Sequence, residues 1–215
     1  MNDIRFDKSK HIYHSSAFEE IIKDTIRFFN GTPVHRLPPP EAFTGKGVYA
    51  LYYIGNNPYY TYLYERNRLG FVEPIYVGKA VPKGWRQSRV RSQDNVSTEL
   101  FHRLGEHANS IGQAENLSLD DFHCRFMILE NAESDLIGTV EAALIRTYTP
   151  VWNSCIDGFG NHDPGRGRYN QSRSDWDVLH PGRKWAAKCK GKAHTSEELE
   201  AKLRDYMKKE GRNDK

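Results

Sequence analysis

The chain has 215 residues, enough for one buried core with additions, and its charge is nearly balanced at +3. No apolar run reaches the ~20 residues that span a bilayer, and Met1 to Lys10 is charged without an apolar signal segment, so a soluble cytoplasmic protein is expected. Cys124, Cys155 and Cys189 are odd in number and far apart, which argues against a disulfide framework. A zinc site from Cys155, His162, His180 and Cys189 matches no common ligand spacing.

In chain order, Ser16 with Glu19 reads as a capping box, and Phe18, Ile22, Thr25 and Phe29 then recur at helical spacing until Gly31. Leu37-Pro38-Pro39-Pro40 reads as a stiff connector to a first strand over Gly47 to Ile54. A second, proline-opened strand over Pro74 to Val77 pairs with it, so that Tyr49 of Gly47-Val48-Tyr49 and Tyr76 of Tyr76-Val77-Gly78-Lys79 converge. Tyr53-Ile54-Gly55 is a decoy, because no turn separates it from Tyr49. The stretch from about 55 to 73, with Asn56-Asn57-Pro58 and Tyr59 to Gly70, reads as an inserted loop or small hairpin.

A helix opened by Ser97 carries Leu100, Leu104 and Ile111 on one side, and it places Arg103 and His107 on a common face. Phe122 to Leu129 alternates as a strand. A helix from about Glu133 to Tyr148 carries Glu141 and leads into Pro150-Val151-Trp152-Asn153. Thr195 with Glu198 caps a charged tail helix bearing Leu199, Leu203 and Tyr206.

Taken in order, Gly-Val-Tyr, Tyr-Val-Gly-Lys, Arg-x-x-x-His, Glu-x-x-Leu-Ile and Pro-x-x-Asn resemble the GIY-YIG nuclease family over Gly47 to Asn153. The Gly158 to Gly165 and Asp175 to Arg183 flanks are similar to those of its small type II restriction endonucleases. That resemblance implies an α/β fold with a small, mainly antiparallel three-stranded sheet flanked by helices. The expected organisation is a helical extension over 1–40, a catalytic core over 41–155 and a basic, loop-rich DNA-binding extension over 156–215.

The implied activity is Mg²⁺-dependent cleavage of double-stranded DNA at a palindromic site, by a homodimer partnered in the cell by a DNA methyltransferase. The implied site consists of Tyr49, Tyr76, Lys79, Arg103, His107, Glu141 and Asn153. Glu141 is its one carboxylate, enough to anchor one hydrated Mg²⁺, with Mn²⁺ as a substitute, but poor material for a two-metal cage. Arg103 can fork onto phosphate oxygens. Asn153 ties the helix end to the site, and Tyr76 orients water or phosphate. For the general base, Tyr49 and His107 both stay open: a phenol of pKa ~10 is only about one part in a thousand ionised at pH 7, so Tyr49 needs its pKa lowered, with Lys79 and Arg103 as the nearest cations and His107 as the alternative proton acceptor.

Charge is concentrated in two stretches. Over 79–103, Lys79, Lys83, Arg86, Arg89, Arg91 and Arg103 face two carboxylates. Over 161–192, eight cations, including Arg166, Arg168, Arg173, Arg183 and Lys184, face three. Both stretches carry tryptophan and glycine, which suits loops approaching a phosphate backbone, and His162 joins the second as an expected DNA contact. A repair or mobile-element nuclease, and a noncatalytic DNA-binding module on the same fold, are the alternatives. The first usually carries a separate binding domain, and the second would be favoured by loss of the tyrosines, Arg103 or Glu141.

Overall fold

The computed structural model describes residues 6–82, 84–85 and 97–211. Its centre is one antiparallel sheet of four strands in the order β1-β4-β2-β3. These are β1 (Val34–Arg36), β2 (Gly47–Tyr53), β3 (Tyr76–Ala80) and β4 (Phe122–Ile128). The expected three-stranded sheet is thus corrected to four. The additional strand lies in the segment assigned to the helical extension, where Val34, His35 and Arg36 pair with Arg125, Cys124 and His123. Three residues are too few to display an alternating pattern, and the strand is stabilised from outside, by pairing and by His35 stacking on Phe126 at 5.2 Å.

Every residue of β2 is buried, because both faces of the sheet are covered. Side chains alternate across a strand. Accordingly Tyr49, Leu51 and Tyr53 join Leu100, Leu104 and Ile111 of α3 (Glu99–Gln113), whereas Val48, Ala50 and Tyr52 join Phe29 of α1 (Ser16–Gly31) and Ile137, Val140 and Leu144 of the helix over Ile137–Tyr148. The α1 cap sits one residue earlier than expected: the Ser15 hydroxyl, not that of Ser16, accepts the Phe18 N–H at 3.3 Å.

The insertion is a helix and not a hairpin. After a 3-10 turn at Pro58–Tyr60, α2 spans Thr61–Asn67 and buries Tyr62 and Leu63. Asn67 closes the loop behind it, donating to the Tyr53 and Glu73 carbonyls at 3.1 and 2.9 Å and accepting the Glu73 N–H at 2.9 Å. This one amide satisfies backbone groups that a hairpin would have paired with each other.

The predicted helix from about Glu133 divides into a 3-10 segment, Asn131–Leu136, and α4, Ile137–Tyr148. Two short helices, α5 (Val151–Ser154) and α6 (Asp175–Leu179), bring Trp152 and Trp176 into the aromatic core on the α3 side. The tail helix α7, Ser196–Lys209, begins with the expected capping box, Thr195 N–H to Glu198 at 2.8 Å and Glu198 N–H to Thr195 at 3.2 Å. Among the described residues no helix is long and apolar enough to cross a membrane.

Candidate active site

Strand register creates the site. Tyr49 lies opposite Gly78, and Leu51 opposite Tyr76, so both tyrosines project from the α3 face near the β3 edge, with ring centroids 6.3 Å apart. Gly78 is required there, because a Cβ at this position would stand 2.4 Å from the Tyr49 hydroxyl. From α3, His107 Nε2 meets the Tyr49 hydroxyl at 2.6 Å. Phe159 stacks on the other side of the imidazole, 4.6 Å between centroids and 17° between planes.

Burial controls the protonation of this pair. It pushes the Tyr49 phenol well above its ordinary value, and the nearby Arg103 charge opposes that shift without overcoming it. It pushes His107 well below its ordinary value, and Arg103 adds to that effect. The resting pair is therefore a protonated phenol against a neutral imidazole. With the ring proton on Nδ1, Nε2 is an acceptor for the phenol proton.

Lys79 does not assist Tyr49 as expected. It pairs with Val48, one register position on, so its side chain leaves the opposite face of the sheet and forms an ion pair with Glu141 of α4. The site consequently straddles an edge strand, with Tyr49, Tyr76, Arg103 and His107 on one face and Lys79 and Glu141 on the other. The side chain of Glu141 is 19 % exposed, so it is reachable from outside. Among the described residues no cluster of three His, Cys, Asp or Glu side chains could cage a metal. A single reachable carboxylate fits a hydrated Mg²⁺ that keeps most of its water or shares phosphate oxygens.

Arg103 is held by three acceptors: Glu106 at 2.8 Å, His162 Nε2 at 2.7 Å and the Gly160 carbonyl at 3.1 Å. Asn153 finishes the β3 edge, its amide accepting the Val77 N–H and donating to the Val77 carbonyl, both at 2.8 Å. An otherwise bare strand edge is thereby blocked at the residue following Tyr76.

The expected DNA contacts divide. Arg166, Arg168, Arg173 and Lys184 are exposed. Lys83, Arg86, Arg89 and Arg91 lie outside the described residues. Arg183 is a correction: it is 2 % exposed, bound to Asp177 at 2.6 Å and to the carbonyls of Gly158, Phe159 and Asn161 at 2.9 to 3.1 Å. Buried and engaged internally through Nε, Nη1 and Nη2, it holds a loop in place and is not presented to DNA. Trp176 belongs to the core, and Arg183 lies over its ring at 4.5 Å. His162 is exposed but engaged with Arg103. His180 has Tyr60 on one ring nitrogen and Asn116 on the other, so it has no lone pair for zinc.

Sequence reasoning missed Phe159 and Gly160 as site walls. The signal was the Gly158-Phe159-Gly160-Asn161-His162 run, in which two glycines and an aromatic have no helical or strand period to serve.

Comparison with curated proteins gave no match. The family model for the Eco29kI GIY-YIG domain matches residues 41–207, a span that includes every site residue described above. The chain belongs to that family, the GIY-YIG nucleases of the Eco29kI restriction-endonuclease type.

Proposed function

We propose that the protein is a Mg²⁺-dependent type II restriction endonuclease that hydrolyses both strands of a duplex at a palindromic sequence. The observation that carries this reading is the two-sided edge: a Tyr–His pair with an arginine on one face of β3 and a reachable carboxylate on the other. A phosphodiester lying along that edge would meet proton acceptor, cation and metal anchor from one approach.

In the proposed reaction, water attacks phosphorus in line with the departing 3′-oxygen, so one P–O bond forms as another breaks. The Tyr49 hydroxyl takes the water proton while passing its own to His107 Nε2, which avoids an isolated buried phenolate. Both candidates for the base thus act as one unit, and the 2.6 Å contact supports that assignment. Arg103 stabilises charge developing on the phosphate oxygens, and Tyr76 orients water or phosphate. Mg²⁺, when held by Glu141, supplies positive charge at the reacting phosphate. The carboxylate that now pairs with Lys79 would be taken up by that ion, and Lys79 would then be available to a phosphate oxygen.

One such edge per chain equips a subunit to cut one strand, so a homodimer with two-fold symmetry and two symmetric nicks follows. Phe18, Ile21 and Phe28 of α1 are 45 to 62 % exposed, an apolar stripe suited to pairing. Such activity in a cell calls for a cognate methyltransferase and for cytoplasmic contact with DNA. Incubation of plasmid DNA with the protein and Mg²⁺, followed by sequencing of the ends, tests the reading. Symmetric, sequence-constant ends are expected. Single-strand or asymmetric cuts would favour a repair or mobile-element nuclease, and intact plasmid with retained binding would favour a noncatalytic module.

A further inference from the structure

Arg103 carries five N–H donors and no acceptor. Its Nη1 bonds Glu106 and His162, and its Nη2 bonds the Gly160 carbonyl. Two donors, the second Nη2 hydrogen and Nε–H, are not used by those three partners, and the guanidinium also engages the Tyr49 and Tyr76 hydroxyls, through its charge and through hydrogen bonding. The partners thus determine which part of the fork is available to a phosphate. Glu106 is one turn away on the same helix and would pair with arginine on any exposed helix. His162 and Gly160 are different, because they arrive from a separate loop.

That loop is built to hold its place. The buried Arg183 clamps the carbonyls of Gly158, Phe159 and Asn161, and Asp177 neutralises it at 2.6 Å. Phe159 is fixed against His107 and Tyr76, with centroids 4.6 and 4.9 Å away. Gly160 is tight against the site: a Cβ there would lie 3.0 Å from the Tyr76 hydroxyl and 3.2 Å from Arg103 Nη2. His162 follows two residues on, and its contact with Arg103 has one possible polarity. Arginine can only donate, so Nε2 must be the unprotonated nitrogen.

We infer that His162 is a positioning residue for Arg103: carried on the loop that Arg183 anchors, its Nε2 fixes the guanidinium so that the remaining donors face the scissile phosphate. This rests on the nuclease reading and goes beyond it, since it assigns His162 to the reaction and not to DNA affinity. It also gives the C-terminal extension a part in turnover, through Asp177, Arg183 and the 158–162 loop.

His162 is 64 % exposed, so its replacement should leave the fold intact. His162→Ala should lower the single-turnover cleavage rate at saturating DNA by about tenfold, within the range expected when a catalytic group loses its alignment. Affinity for the cognate duplex should change less than about twofold, as should the salt slope. His162→Gln, whose Oε1 can stand where Nε2 stood, should recover most of the rate. In parallel, the side-chain ¹H–¹⁵N signals of Arg103 in the free protein should show hindered Nη rotation in wild type, lost in His162→Ala and regained in His162→Gln. Weakened binding with an unchanged saturated rate would make His162 a DNA contact and overturn the inference, as would an unchanged rate with an unchanged Arg103 signal. A wild-type protein that cuts no DNA although its Arg103 signal still depends on His162 would instead overturn the nuclease reading and uphold the contact.

Discussion

Two tyrosine–histidine pairs in this molecule share one geometry in different surroundings. Tyr49 meets His107 Nε2 at 2.6 Å, and Tyr60 meets His180 Nε2 at 2.6 Å, both out of water. The second pair is locked. Asn116 donates its amide N–H to the Leu179 carbonyl at 2.8 Å, which turns its oxygen toward His180 Nδ1 at 2.9 Å and requires a proton on that nitrogen. Nε2 must then accept from Tyr60, whose oxygen accepts in turn from Trp152 Nε1 at 2.8 Å. Every proton has one place to be. Tyr49 and His107 sit instead at the sheet edge beside Arg103 and Tyr76, where a bound phosphate can change which proton position is preferred. A short contact between a phenol and an imidazole does not by itself make a catalytic pair; its neighbours decide.

The largest test of that comparison removes the charge across the strand. Glu141→Gln should abolish cleavage in Mg²⁺, by about a thousandfold or more, with DNA binding and thermal midpoint nearly unchanged, since it deletes the one anionic ligand of the proposed reaction and few packing contacts. Turnover at the wild-type rate in that variant would remove Glu141 from the reaction. Next comes the pair itself. Tyr49→Phe should slow the chemical step by at least about a hundredfold, the lower range for a positioned acid–base group. Single-turnover rates left intact by it would return the base role to His107 alone.

Tyr60→Phe is the matching change in the locked pair, and it should do the reverse. It strands His180 Nε2 and Trp152 Nε1 in the core, each a buried polar atom without its partner. A loss of about 2–3 kcal/mol in urea unfolding is expected, with the saturated cleavage rate within about twofold of wild type. If Tyr60→Phe slowed cleavage as strongly as Tyr49→Phe while leaving stability untouched, the distinction between the pairs would collapse.

Much of the candidate catalytic edge was legible in the sequence because its residues come as short motifs on regular elements. Arg103 and His107 are four apart on one helix, and strand alternation puts Tyr49 and Tyr76 on one face once the strands pair. The same alternation, followed one residue further, separates Lys79 from Tyr49. Lys79 stands three positions after Tyr76 on one strand, so alternation alone sends them to opposite faces; the register across the long insertion, which turn chemistry does not specify, fixes only which face of β2 each of them joins. Tyr60 and His180 are 120 positions apart and carry no motif. The buried role of Arg183 was hidden for a different reason. A basic residue in a glycine-rich loop reads as surface, and only three converging carbonyls with Asp177 reveal why it is taken inside. The 3-10 turn and helix of the insertion escaped notice because aromatic residues at Tyr59, Tyr60, Tyr62 and Tyr64 favour strand as readily as helix in isolation.

The smallest effect is in pH, and here the two pairs behave alike in stability and differ in turnover. Burial lowers His180 from 6.5 to about 3 and moves His107 in the same direction. Between those values the unfolded chain holds a proton that the folded chain excludes, so acid favours unfolding. The stability that comes from keeping each ring neutral is fully present above pH 6.5 and is lost progressively as pH falls toward about 3. For His180 that loss amounts to about 2 kcal/mol by pH 5. Urea unfolding of the wild type should therefore weaken from pH 7.5 to pH 5, before Asp175, whose carboxyl is held below its ordinary value by Lys202 and His194 against the effect of burial, begins to protonate. In His180→Asn, less stable at neutral pH, the dependence should flatten while the pH profile of cleavage keeps its shape. Protonating His107 removes the acceptor of Tyr49, so His107→Asn should flatten the stability curve and also abolish cleavage at every pH. A wild-type stability that stays level from pH 7.5 to pH 5 would mean that neither imidazole is kept neutral by the fold.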